Sequence, residues 1–138
     1  MSAPEDPDIE SYFERYGWTC ERVDTHTFRT GFRGDNGSFA AMVRVTDHWV
    51  VFTINPYLRP PDGGWGLASL RTLALANQTI NMAKLGIDEE GDVFLTVELP
   101  SEGFTYSHFS DAMTTVTHFA DGFIVPLLQA RAIDERAR

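Results

Sequence analysis

Between Trp18 and Asn55 apolar and polar residues alternate with a period of two, and on either side the spacing changes to three and four. Ile9, Tyr12, Phe13 and Tyr16 follow the helical spacing, with Asp8 placed to cap the first turn and Gly17 to stop the last. Strands are expected at 27–33, 38–46 and 48–55, with a shorter extended piece near 18–23. Asp35-Asn36-Gly37 supplies a two-residue hairpin turn, either Asp35-Asn36 or Asn36-Gly37. Either choice puts Phe28, Thr30 and Phe32 on one face with Phe39, Ala41, Val43 and Val45. A second two-residue turn near Asp47 adds Val50, Phe52 and Ile54 to that face. The opposite face carries Arg29, Arg33, Met42, Arg44, Trp49, Val51 and Thr53, a mixed surface rather than a polar one. Strand 48–55 is therefore apolar on both sides, as a central strand covered on each face would be.

Residues 56–66 are rich in Pro and Gly and read as a loop. A helix is expected over 67–82, its stripe formed by Leu67, Leu70, Leu73, Ala74, Asn77 and Ile80. A second hairpin follows. A two-residue turn would throw Ala83, Leu85 and Ile87 onto the face opposite Val93, Leu95, Val97 and Leu99. The three-residue loop Glu89-Glu90-Gly91 brings them together and puts a glycine where a left-handed residue is needed. The longest helix is expected over 106–131, capped by Ser107, with Phe109, Ala112, Met113, Val116, Phe119, Ala120 and Phe123 along one side. Pro126 is expected to kink or end it. Residues 1–7 read as a frayed tail, 8–131 as one domain and 132–138 as a loose charged tail. The predicted class is α+β, in the order α-β-β-β-α-β-β-α, with one antiparallel sheet packed with helices.

That order, with the stretch Asn77 to Leu99, resembles the YbjN family, whose fold is similar to that of type III secretion chaperones. The resemblance is carried by Ala76-Asn77-Gln78, by Ala83-Lys84-Leu85-Gly86-Ile87-Asp88 and by Glu89-Glu90-Gly91-Asp92-Val93. It continues through Val97-Glu98-Leu99-Pro100 and ends at Phe119-Ala120-Asp121 and Pro126. It implies a small acidic domain, often dimeric, that handles other proteins without ATP. The family is labelled as sensory-transduction regulators, and the secretion chaperones hold an extended client segment across apolar grooves.

Charge and composition narrow the function. The 138-residue chain has a net charge of −9, and its eleven basic residues are scattered, which disfavours nucleic acid and anionic membranes. No apolar run approaches membrane-spanning length, and the N-terminus lacks the features of a secretory signal, so a cytoplasmic protein without membrane insertion is expected. Cys20 is the single cysteine and reads as a small buried hydrophobe beside Trp18. Gly31, Gly34 and Gly37 lie between strands, not before a helix as a phosphate loop requires. The acidic hairpin Asp88–Asp92 fails the calcium-loop pattern, because Phe94 stands where a ligand should be. His26, His48, His108 and His118 have no zinc spacing, and no nucleophile elbow surrounds any serine. No catalytic, cofactor or metal site is expected. Asn77 and Asn81 read equally well as exposed filler or as structural hydrogen-bonding groups. The expected function is a non-catalytic, chaperone-like or regulatory module, acting as a homodimer on a protein client. Its candidate partner or dimer interface is Met42, Arg44, Trp49, Val51, Tyr57, Trp65 and Phe94. The alternative is an enzyme or small-molecule binder using a groove near loop 56–66.

Overall fold

The structure, a computed structural model, describes residues 6–137. Of the two expected tails, residues 1–5 and residue 138 lie outside that range. The elements in chain order are α1 (Ile9–Tyr16), β1 (Glu21–Asp24), β2 (Thr27–Arg33), β3 (Ser38–Val45), β4 (Trp49–Leu58), α2 (Leu67–Thr79), β5 (Ala83–Ile87), β6 (Val93–Pro100) and α3 (Tyr106–Arg136). Six antiparallel strands form one sheet in the order β1-β2-β3-β4-β6-β5. The extended piece expected near 18–23 is a strand in its own right, β1, added at the edge beside β2.

The predicted shared face holds, and of the two turns open to the first hairpin the structure takes one. Phe28 faces Val43, Thr30 faces Ala41, and the loop between them is Asp35-Asn36, closed by Gly34 N–H on the Gly37 carbonyl at 2.8 Å. Val45 pairs with Val50 around Asp47-His48. Leu85 pairs with Leu95 and Ile87 with Val93, so the second hairpin loop is Glu89-Glu90-Gly91, with Gly91 at φ +87°. These pairs share one face, where Phe52, Phe13 and Phe109 meet edge to face and tilted at 5.0–5.7 Å between rings. All three helices contribute to that single core.

Four expectations need correction. The strand expected at 48–55 runs on to Leu58 through a cis Asn55-Pro56 bond and an irregular register, so the Pro/Gly loop begins only at Arg59. Consequently Tyr57 is buried, and its hydroxyl donates to the Ala120 carbonyl on α3. The cap of α3 is Thr105, not Ser107: the His108 ring Nδ1 accepts from the Thr105 N–H at 3.0 Å.

α2 buries Ser69, Leu73 and Ala76, and leaves Leu67 and Leu70 in solvent. Small residues on the inner side let it approach α3 closely, an arrangement that leucine spacing alone could not reveal.

The last correction is the largest. α3 passes Pro126 and continues to Arg136, so residues 132–136 are not a loose tail. The proline ring faces solvent, and the residue four before it is Gly122, which is itself exposed and can leave its carbonyl to water. Beyond it Leu127, Ala130 and Asp134 are buried. Asp134 caps α2 from another helix: its carboxylate accepts from the N–H groups of Gly66, Ala68 and Ser69 at 3.0–3.1 Å. α2 has no capping side chain of its own at Gly66, and a Cβ there would lie 2.5 Å from Asp134 Oδ1. Burial alone pushes the Asp134 carboxyl up, but the hydrogen bonds from Ser69, Gly66 and Ala68 outweigh it and hold it below the ordinary aspartate value.

Gly91→Val is expected to cost about 1–2 kcal/mol or more in urea unfolding, because a β-branched residue resists positive φ, while Glu90→Gln leaves the midpoint unchanged. Equal midpoints for the two variants would contradict the loop geometry. Asp134→Ala is expected to cost about 1–2 kcal/mol by removing the α2 cap. The Asp134 carboxyl is depressed in the fold, so its contribution is complete above the unfolded value of about 3.9 and is lost as pH falls through the lower folded value. The stability gap between wild type and Asp134→Asn should therefore be constant near neutrality and close below about pH 4.

Candidate interaction site

With the helices gathered on one side, the other face of the sheet is bare among the described residues. One rung across it reads Arg29, Met42, Thr53, Thr96 and Lys84, each opposite the next on adjacent strands. The neighbouring rung runs Arg44, Val51, Glu98, and Trp49 lies beyond it opposite Pro100. The strand pleat places these side chains away from the core. Trp49 is 45% exposed, and Met42 and Val51 are partly buried. A shallow depression of about 390 Å³ lies among Arg29, Ala40, Met42, Thr53 and Asn55. At the far side Phe94 folds over Gly86 so tightly that a Cβ on Gly86 would sit 2.5 Å from the ring. Phe94 thus covers a side-chain-free stretch of β5 and projects less than its position alone implies.

Charges frame this apolar centre. Lys84 pairs with Glu98 at 3.6 Å, and Arg29 reaches Glu21 at 4.0 Å, both in exposed positions. Such pairs hold little energy and can exchange partners cheaply. The surface has the composition of an interaction site: an aromatic, a methionine and a valine flanked by arginines.

Five of the seven candidate interface residues share this face: Met42, Arg44, Trp49, Val51 and Phe94. Tyr57 and Trp65 do not. Tyr57 belongs to the core, where burial first and the Asp121 charge second raise its pKa, keeping the hydroxyl a donor. The Trp65 indole donates to the Gly91 carbonyl at 2.6 Å, pinning loop 59–66 onto the second hairpin. The partners of both aromatics, Ala120 and Gly91, are distant in sequence, so the Pro/Gly-rich stretch around them does not reveal these contacts.

A second apolar surface was missed from sequence. Among the described residues ten large apolar side chains are exposed, and eight of them lie on α2, β5 with its lead-in, and the C-terminal half of α3. Leu67 is 79% exposed and Leu75 53%, with Leu70 between them and Met82 just before β5. Leucines occur on both sides of α2, so its pattern does not say which side faces in.

Groups with potential chemistry are otherwise engaged. Asn77 does bond structurally, to the backbone of Leu85 in β5. Burial and then Glu10 raise the Cys20 thiol, disfavouring a thiolate nucleophile. Carboxylates of Asp88, Glu90 and Asp92 gather at the hairpin tip. Asp88 there accepts from the Asn55 side chain and from the N–H groups of Glu90 and Asp92 at 2.9–3.1 Å, the bonding of a turn. Asp121 is a clamp: its Oδ1 accepts from Asn36 N–H at 2.7 Å, fastening the β2–β3 turn to α3. No helix of the described residues is long and apolar enough to cross a membrane.

Known structures share this architecture. A chain of the heterodimeric ExoU–SpcU complex, from the type III secretion system of Pseudomonas aeruginosa, superposes with a TM-score of 0.58 at 16% identity, over 89% of this chain and 97% of that one. A chain of the HopA1–SchA chaperone–effector complex gives 0.54 at 18% identity, covering 83% and 88%. YbjN from E. coli gives 0.59 at 15% identity, covering 90% and 89%. No curated protein matches by sequence. At these identities the structural likenesses establish the fold, that of the type III secretion chaperones. The family model for YbjN, described as "Putative bacterial sensory transduction regulator", matches residues 7–128, and the chain therefore belongs to the YbjN family.

Proposed function

We propose that this protein is a non-catalytic protein-binding module, chaperone-like or regulatory, that works in the cytoplasm as a homodimer. The observation that carries the reading is the bare sheet face that bears Met42, Val51 and Trp49. Two similar structures are complexes with a protein partner, one described as a heterodimer of a type III secretion system and the other as a chaperone–effector complex, and this supports the same kind of work here. The two apolar surfaces divide the tasks. A second copy covers the leucines of α2, and the sheet face remains for the client. Apolar surface of this extent is uncommon on a monomer, and self-association through one helix face gives a closed two-fold pair. Nucleic acid is a poor partner for a chain of net charge −9.

Wild type should sediment at about twice 15.5 kDa at tens of micromolar, and Leu70→Glu with Leu75→Glu should sediment as the folded monomer. A monomeric wild type would remove the dimer from the proposal. Trp49→Ser with Met42→Gln is expected to keep the dimer and abolish partner capture, read by quantitative pull-down against wild type. Loss of the dimer with capture intact would instead make the sheet face the subunit interface.

A further inference from the structure

We propose that Asn77 guards the open edge of the sheet, standing in for a seventh strand and preventing β5 from pairing with another chain. β5 is the last strand in the sheet order. An edge strand presents outward N–H and C=O groups at every second residue, a template for strand addition. In β5 these residues are Ala83, Leu85 and Ile87, with Leu85 at the centre. Asn77 Nδ2 donates to the Leu85 carbonyl at 2.8 Å, and the Leu85 N–H donates to Asn77 Oδ1 at 2.8 Å. A primary amide carries the donor and acceptor of a peptide group, so this bidentate pair reproduces what a neighbouring strand would offer one residue. The Ala83 N–H is also occupied, donating to the Asn81 carbonyl at 2.7 Å. An incoming strand finds two of its three anchoring positions engaged.

The side chains of β5 supply little other defence. It reads Ala-Lys-Leu-Gly-Ile, with Lys84 its single charge, and Ile87 and the preceding Met82 are exposed. β1, at the opposite edge, is protected differently: four exposed residues, three of them charged, and a register irregularity between Arg22 and Asp24. With its backbone edge closed, self-association on the β5 side is left to side-chain surfaces. This inference does not depend on the client or on the outer sheet face.

Hydrogen exchange and sedimentation of Asn77→Ala test it. The Leu85 amide should exchange roughly tenfold faster than in wild type, the loss expected for about one hydrogen bond, and the variant should form larger species that grow with concentration. Adding Ile87→Lys, an unrelated edge defence, should suppress them. Leu73→Ala lies in the same helix but points into the core, and should lower stability without producing the large species. Should Asn77→Ala fail to fold, Asn77→Asp, which keeps the acceptor for Leu85 N–H and loses the donor, gives the intermediate phenotype. The proposal is overturned if Leu85 exchange and the size distribution stay as in wild type, or if Leu73→Ala assembles equally.

Discussion

Three helices can cover only one face of this sheet, and most of the molecule's properties follow. Six strands about 4.8 Å apart make a layer ~29 Å wide, while three helices side by side, each about 10 Å across, span ~30 Å. The match is close, so one face is covered, save for the far edge at Ile87, and nothing is left for the other. The covered face becomes the core, with Val43, Val50, Phe52, Leu95 and Val97 all but inaccessible. The bare face keeps Trp49, Val51 and Met42 at the surface, which a folded monomer gains nothing by exposing.

α3 holds this arrangement in place. It packs on β4 and β6, with Phe109 against Phe52, and it also supplies polar fastenings to segments far away in sequence. Ala120 receives the Tyr57 hydroxyl, Asp121 grips the β2–β3 turn, and Asp134 caps α2. The first and the last satisfy a hydroxyl and N–H groups that would otherwise be left unpaired near the core. Gly34 answers to the same constraint, since a Cβ there would lie 2.3 Å from Asp121 Oδ1. A frame fastened in this way presents its bare surfaces without rearranging, which lowers the ordering cost of binding.

The residues that carry the family resemblance prove to be parts of this frame. Asn77 closes the β5 edge, Asp88 and Gly91 shape the second hairpin, and Ala120 and Asp121 tie α3 to the sheet. They identify the fold, and Met42, Trp49 and Val51 on the proposed client face are not among them. Family membership and partner identity are therefore separate questions for this chain.

Strand phase, the register of the second hairpin and the left-handed Gly91 were determined by sequence alone, because each depends on neighbours a few residues apart: a period of two, a three-residue loop, a residue without a Cβ. That Met42, Arg44, Trp49, Val51 and Phe94 share one face was legible for the same reason, since alternation assigns them to it. The covered side of α2, the burial of Tyr57 and the helix beyond Pro126 were decided only by tertiary structure. Each rests on a partner more than sixty positions away: Asp134 for the start of α2, Ala120 for Tyr57, and Gly66 for the last turns of α3. Local patterning states which residues can be buried together, and the choice between equally apolar sides falls to the long-range hydrogen bonds that only one packing satisfies.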